Sequence, residues 1–324
     1  MTDADAVGSS PGDGAPAGDG GSPGAGASPP EASKSGGGTS PAGGAPALVL
    51  ADEPAPGVRR LTLNRPEKRN ALNNPLRGAL IDALRDGDRD DDVRVMVVRG
   101  AGTCFSAGYD LGGGNEGTEL PFFTAAGEGQ WPRHVTEGWM SIWDLAKPVI
   151  AQVHGYCLAG GSELATGCDL VYVAEDARIG YPAVRFGVPD MQFHAWFMGM
   201  RAAMEMMVTG DSITGVEAAR LGWANRAVSA GELEATVIAV AERIAKVPPD
   251  IVQLNKRTVH RAMDVMGLRA AIRSGTELCA LGVHQPSFRR FIEDMRARGL
   301  TAALSDRDKP FGDYRTSEPH DGEA

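Results

Sequence analysis

The sequence predicts an α/β fold in which a mainly parallel sheet is built from strand, helix, strand units and is followed by a helical C-terminal region. Two observations carry this. Short β-branched runs at residues 93–98, 149–153 and 170–174 alternate with helical patterns at 75–85 and 160–167, the arrangement of βαβ units. From residue 193 onward apolar positions recur at helical spacing, through segments 195–208, 216–221, 233–246, 249–266, 268–281 and 287–298.

Each element has a local reason. Residues 1–47 are Gly, Ala, Pro and Ser with several Asp and almost no large apolar side chain, so nothing offsets the entropy of ordering them; disorder is expected. Residues 48–51 and 58–63 read as paired strands across a turn at Glu53-Pro-Ala-Pro-Gly57. Leu76, Leu80, Ile81 and Leu84 form one apolar helix face. Residues 112–130 are Gly-rich without period, the mark of a lid or binding loop in a compact domain or of disorder. A helix over 131–145 follows, ended by Pro148. The division expected is a core domain at 48–230, helices at 231–312 and a polar tail at 313–324.

With 324 residues, 42% of them hydrophobic, the chain can bury a sizeable core even after the first stretch is set aside. A net charge of -10 argues against nucleic acid as a partner, because binding phosphate backbones needs concentrated Lys and Arg. Cys104, Cys157, Cys168 and Cys279 are scattered without a paired spacing, which suggests neither a metal site nor a disulfide framework. No apolar run approaches bilayer length and the N-terminus lacks the basic and apolar regions of a secretory signal, so a cytoplasmic protein with no membrane partner is expected.

The organising stretch is Val149-Ile-Ala-Gln-Val-His-Gly-Tyr-Cys-Leu-Ala-Gly-Gly-Ser-Glu-Leu-Ala-Thr-Gly-Cys-Asp169. A strand runs into glycines and then into a helix start at Gly160, whose first N–H groups lack intrahelical partners and favour an anion. Glu163 falls in that first turn. A second strand, 94–99, is followed by Gly-Ala-Gly-Thr-Cys-Phe-Ser-Ala-Gly-Tyr-Asp-Leu111, where small residues leave backbone amides uncovered. Two such amides aimed at one oxygen make an oxyanion hole, which stabilises charge developing on a thioester carbonyl.

Together with Leu63-Asn-Arg-Pro-Glu-Lys-Arg-Asn-Ala-Leu-Asn73, Phe105-Ser-Ala-Gly-Tyr-Asp-Leu111, Lys147-Pro-Val-Ile-Ala-Gln-Val-His-Gly155, Gly160-Gly-Ser-Glu-Leu-Ala165 and Met204-Glu-Met-Met-Val-Thr-Gly-Asp211, these stretches resemble the enoyl-CoA hydratase/isomerase family, the crotonase superfamily, over residues 57–312. The resemblance implies a ββα superhelix with a C-terminal trimerisation region, and a homotrimer or dimer of trimers. It implies an acyl-CoA substrate with no separate cofactor and no metal. It assigns the oxyanion amides to Tyr109 and Gly160 and the acid/base to Glu163. Coenzyme A is expected on Lys68, Arg69, Ala71, Ala107, Asp110 and Leu111.

One position departs from the pattern. In Ile179-Gly-Tyr-Pro-Ala-Val-Arg-Phe-Gly-Val-Pro189 the family commonly places a second Glu where Ala183 stands, and alanine can neither give nor take a proton. Three readings follow. Asp190 or His194 takes over as second acid/base, preserving hydration or dehydration of an enoyl-CoA by a hydro-lyase; or Glu163 works alone as an isomerase base; or the protein binds acyl-CoA without catalysis. His134 and Glu137 are further candidates to face the acyl group. Trp131, Trp139, Trp143, Trp196, Met191, Phe193, Phe197 and Met198 could equally line an acyl pocket or form ordinary core.

Overall fold

The computed structural model of the protein describes residues 46–113, 115, 117–189 and 193–312. Residues 1–45 of the stretch expected to be disordered, 1–47, and the polar tail at 313–324 lie outside them.

Six strands form the main sheet: β1 (Val49–Ala55), β2 (Val58–Leu63), β3 (Val95–Gly100), β4 (Val149–Val153), β6 (Leu170–Ala174) and β9 (Arg226–Val228), hydrogen-bonded in that order. β1 pairs antiparallel with β2 across a tight turn in which Gly57 has φ 74°; every other pair is parallel. All five residues of β4 are buried, as a central parallel strand covered on both faces requires. A second sheet of three short strands, β5 (Tyr156–Leu158), β7 (Arg178–Gly180) and β8 (Ser212–Thr214), lies beside it.

The helices follow local signals. In α1 (Asn74–Arg89) the Asn73 side chain accepts a hydrogen bond from the Leu76 amide at 3.0 Å, an N-cap that fixes the start. Leu76, Leu80, Ile81 and Leu84 bury the expected face. α2 (Gln130–Met140) passes into a 3₁₀ turn at Ser141–Asp144, so the helix expected over 131–145 is divided. α3 is Gly160–Gly167, α4 Phe193–Thr209 and α5 Gly215–Leu221; α4 is interrupted at Gly199, where φ is 78°. Beyond β9 the described residues are mainly helical: α6 (Leu233–Ala245), α7 (Pro249–Val265), α8 (Leu268–Gly282), α9 (Pro286–Arg298) and α10 (Leu300–Asp308). No helix of the described residues is long and apolar enough to cross a membrane.

α7 is fastened to the sheet by one buried cation. Lys256 Nζ donates to Asp169 Oδ2 at 2.8 Å and to the carbonyls of Ile142 (2.9 Å) and Lys147 (3.0 Å). Asp169 in turn accepts from the Val149 amide at 2.7 Å, so the clamp holds the start of β4. Removing one partner leaves a buried charge and unmet carbonyls. Lys256→Met is therefore expected to lower unfolding free energy by about 3 kcal/mol, read by chemical denaturation.

Candidate active site

The site begins with a loop that β2 delivers. Asn70 has a left-handed backbone, φ 52°, a conformation asparagine tolerates better than most residues, and is fully buried. Its Nδ2 donates to the carbonyls of Ala101 (2.8 Å) and Cys104 (2.9 Å), while Oδ1 accepts from the Arg65 amide at 3.0 Å. Residues 69–72 are thereby laid against the segment after β3: the Ala107 amide donates to Arg69 O (2.9 Å), Leu72 to Gly108 O (2.8 Å) and Asp110 to Leu72 O (3.2 Å). Arg65 closes the arrangement with an ion pair to Asp110 at 3.0 Å.

On its other side this segment meets the junction of β5 and α3. Ser106 and Leu158 exchange amide contacts with the adjoining chain, Ser106 N to Tyr156 O and Leu158 N to Ser106 O, both at 3.0 Å. Ala159 then turns the chain from strand to helix in one residue, at φ 46° and ψ -119°, a strained conformation for a residue with a Cβ. The approach is too close for side chains. A Cβ at Gly160 would sit 2.5 Å from Tyr109 Cζ, and one at Gly161 2.6 Å from Ser106 O. Among the described residues, no carbonyl or side chain accepts a hydrogen bond from the Tyr109 or Gly160 amide. The two backbones are neighbours: a Cβ at Gly108 would lie 3.5 Å from Gly160 N.

Glu163, in the first turn of α3, is fully buried. Its carboxylate accepts a very short hydrogen bond from the Tyr109 hydroxyl on Oε2 and one of 2.7 Å from the Tyr181 hydroxyl on Oε1. Trp139 Nε1 donates to the Tyr109 oxygen at 3.0 Å. Burial, with the Glu163 charge added to it, holds the Tyr109 hydroxyl well above its ordinary pKa, so it remains a donor.

Behind Tyr109 lies Arg77 of α1, 1% exposed. Its guanidinium carbon is 5.9 Å from the Tyr109 ring centre and 5.5 Å from that of Trp139. Nη1 approaches His134 Nε2 at 2.9 Å and Asn74 Oδ1 at 3.3 Å. Burial, and then the Arg77 charge, push His134 down to about 4, so its Nε2 is an acceptor near neutral pH and Nδ1 carries the hydrogen toward Gln130 O at 3.3 Å.

Of these groups Arg77, Tyr109 and Tyr181 border a cavity of about 1090 Å³. Lys68, Arg69, Ala71, Ala107, Tyr109, Asp110 and Leu111 all line it, as do Arg77, Trp131, Tyr181 and Ala183. Its wall extends to α10, the last α-helix of the described residues, through Leu300, Leu304, Arg307 and Asp308. α10 is tied down by a buried network in which Asp308 meets Arg307 at 2.7 Å and Arg185 at 3.4 Å, and Arg185 lies 3.7 Å from the centre of the Phe311 ring.

Gly160 and Glu163 stand directly behind the wall, Gly160 under the Tyr109 ring and Glu163 behind the two phenols. Of the two groups expected to replace the second carboxylate, Asp190 lies outside the described residues. His194 is buried off the wall, 3.0 Å from Ser162 Oγ and with its ring 5.8 Å from that of Tyr181. His134 faces Arg77, and Glu137 pairs with Arg273 at 2.7 Å. Of the aromatic and methionine set, Trp131 lines the cavity. Trp139, Trp143, Phe193 and Met198 are buried in the core, Trp196 and Phe197 pack against it, and Met191 lies outside the described residues.

Sequence reasoning missed Arg77, Trp139 as a donor, and Tyr181. A signal for Arg77 was present: it shares the buried stripe of α1 with Ile81 and Leu84 at helical spacing, where a charged residue needs a special reason.

The model of the enoyl-CoA hydratase/isomerase family matches residues 53–312. The chain belongs to that family. An enoyl-CoA hydratase/isomerase of Xanthobacter autotrophicus Py2 is 35% identical, with a TM-score of 0.74 over 82% of this chain and 98% of its own. An enoyl-CoA hydratase of Mycobacterium smegmatis is 31% identical, with a TM-score of 0.75 over 82% and 95%. A mevalonyl-coenzyme A hydratase of Aspergillus fumigatus is 31% identical over 68% of this chain and 82% of its own. The fold is thus the crotonase fold, and the protein is an enzyme of the hydratase/isomerase family acting on coenzyme A thioesters.

The depressed His134 makes stability depend on pH. Its folded value lies below the ordinary 6.5, so the native state holds it neutral while the unfolded chain takes up a proton. The contribution is complete above about 6.5 and is lost as pH falls toward about 4. His134→Asn has no group that titrates there. The Tm gap between wild type and the variant is expected to narrow on acidification across that window, measured by thermal denaturation.

Proposed function

We propose that the protein adds water across, or removes it from, the C2–C3 bond of an enoyl-CoA, with Glu163 acting through a tyrosine hydroxyl. The observation that carries this is the fully buried Glu163 carboxylate gripped by Tyr109 and Tyr181 at the cavity wall, beside two uncommitted backbone amides. In the hydration direction a water oxygen bonds to C3. Its proton passes to the Tyr181 oxygen as the phenol releases its own to Glu163, and the C2–C3 electron pair moves onto the thioester oxygen. That oxyanion is held by the Tyr109 and Gly160 amides, each worth about 3 kcal/mol of barrier. The proton then returns to C2. Tyr181, two residues before Ala183, supplies the polar oxygen that alanine lacks. Tyr109, held by Trp139 and Glu163 together, positions the carboxylate. Lys68 and Arg69 meet the anionic coenzyme, whose phosphates need local cations in an acidic chain.

A second reading is favoured by Ala183 itself. With alanine at 183, Glu163 could carry one proton between C2 and C4, an isomerase. Crotonyl-CoA and a 3-enoyl-CoA separate the two, since hydration consumes the first and isomerisation the second. Glu163→Gln is expected to lower kcat by about 10²-fold or more on the true substrate, and Tyr181→Phe by about tenfold or more. A full rate in Tyr181→Phe would eliminate the phenol relay; turnover of neither substrate, with tight retention of the thioesters, would leave a binding protein.

The assembly is proposed to be a homotrimer. Met200, Met204 and Val208 expose an apolar stripe along α4, each more than half accessible. Multi-angle light scattering is expected to return three times the chain mass or a multiple of it, and a monomer would exclude the trimer.

A further inference from the structure

Among the described residues, no counter-charge is in contact with the buried cation of Arg77. Nη1 is committed to neutral His134 and to Asn74, and the ring faces of Trp139 and Tyr109 flank the group. Among the described residues, Nε and Nη2 have no hydrogen-bond partner. A cation–π environment stabilises the charge without meeting these donors, and desolvated N–H groups of a charged group are costly to leave unmet. Glu163 is near enough for its charge to favour that of Arg77, but both its oxygens accept from phenols and no contact ion pair joins it to Arg77.

The two open positions share one edge of the guanidinium. Nε–H and one Nη2–H point the same way, the side-on fork that grips the two oxygens of a carboxylate. Arg77 also borders the cavity with Tyr109, Tyr181 and Ala183, the residues around the proposed reacting centre; its two open nitrogens are themselves covered, so a carboxylate reaches them only when the side chains over them shift. We infer that this edge binds a carboxylate at the far end of the acyl group, so that the substrate is the monothioester of a dicarboxylic acid. The inference rests on the reading that the cavity takes acyl-CoA, and it narrows the acyl group by charge. Ala183 fits the same picture, because a second Glu on this wall would add negative charge near the incoming carboxylate.

Equilibrium binding tests it without turnover. Wild-type protein is titrated with saturated dicarboxylic monothioesters of coenzyme A of graded chain length, each against its methyl-terminated counterpart of equal length. At one length the carboxylate is expected to bind about tenfold or more tightly than the methyl form. In Arg77→Met that ratio should fall to near one or below. Equal affinities in the wild type at every length would overturn the inference while leaving the acyl-CoA reading intact; binding of neither series would instead overturn the acyl-CoA reading. A ratio preserved in Arg77→Met would also sink it, placing the carboxylate elsewhere. If that variant does not fold, the wild-type comparison still decides.

Discussion

Everything distinctive in this molecule depends on two stretches of backbone being closer than side chains allow. The segment ending at Tyr109 comes off β3, the start of α3 comes off β5, and Gly160 and Gly161 let them touch. With any Cβ there, Tyr109 would be pushed off α3 and Ser106 off Gly161. Two amides from distant parts of the chain would then no longer be neighbours. The strain at Ala159 is a consequence of the same demand, since strand must become helix within a single residue. Asn70 serves it too, by holding the loop after β2 against the loop after β3 with three hydrogen bonds.

Around this junction the polar groups are layered. The Glu163 carboxylate has no water-facing surface, and its two oxygens meet two phenols. Tyr109 is held from behind by Trp139, and its ring also faces Arg77. A displacement of any one member therefore disturbs the others. In such a low-dielectric cluster each hydrogen bond is stronger than in water, and each unmet donor costs more. This is why the open edge of Arg77 stands out: Thr124 Oγ1, Gln152 Oε1 and Asp169 Oδ1 also lack a hydrogen-bond partner among the described residues, but Arg77 is the cation of that group.

The sequence displayed the framework more readily than the contacts. β4, β6 and the α3 start were legible because β-branched runs and paired glycines are local signals, and Glu163 was legible because it sits in the helix's first turn. The second sheet was not, since β5, β7 and β8 have three residues each, too few to show a period of two. α10 was not, because Leu300–Asp308 has no continuous apolar stripe and is held by the Asp308 network instead. The partners of Glu163 come from positions 54 residues before it and 18 after it, and such pairings leave no mark in one sequence. The aromatic residues at helical spacing on α2 and α4 mostly turned inward to the core, the ordinary outcome for such a pattern.

The cavity wall draws on Arg65 near one end of the described chain and on Asp308 near the other. During synthesis the central sheet has all its strands once Val228 has emerged, long before α10 exists. A nascent chain can thus complete its scaffold while its binding chamber still lacks a side. The chamber's wall is complete only once α10 has been made, and a premature stop within the last helices would leave the sheet's strands in place with one side of the chamber missing.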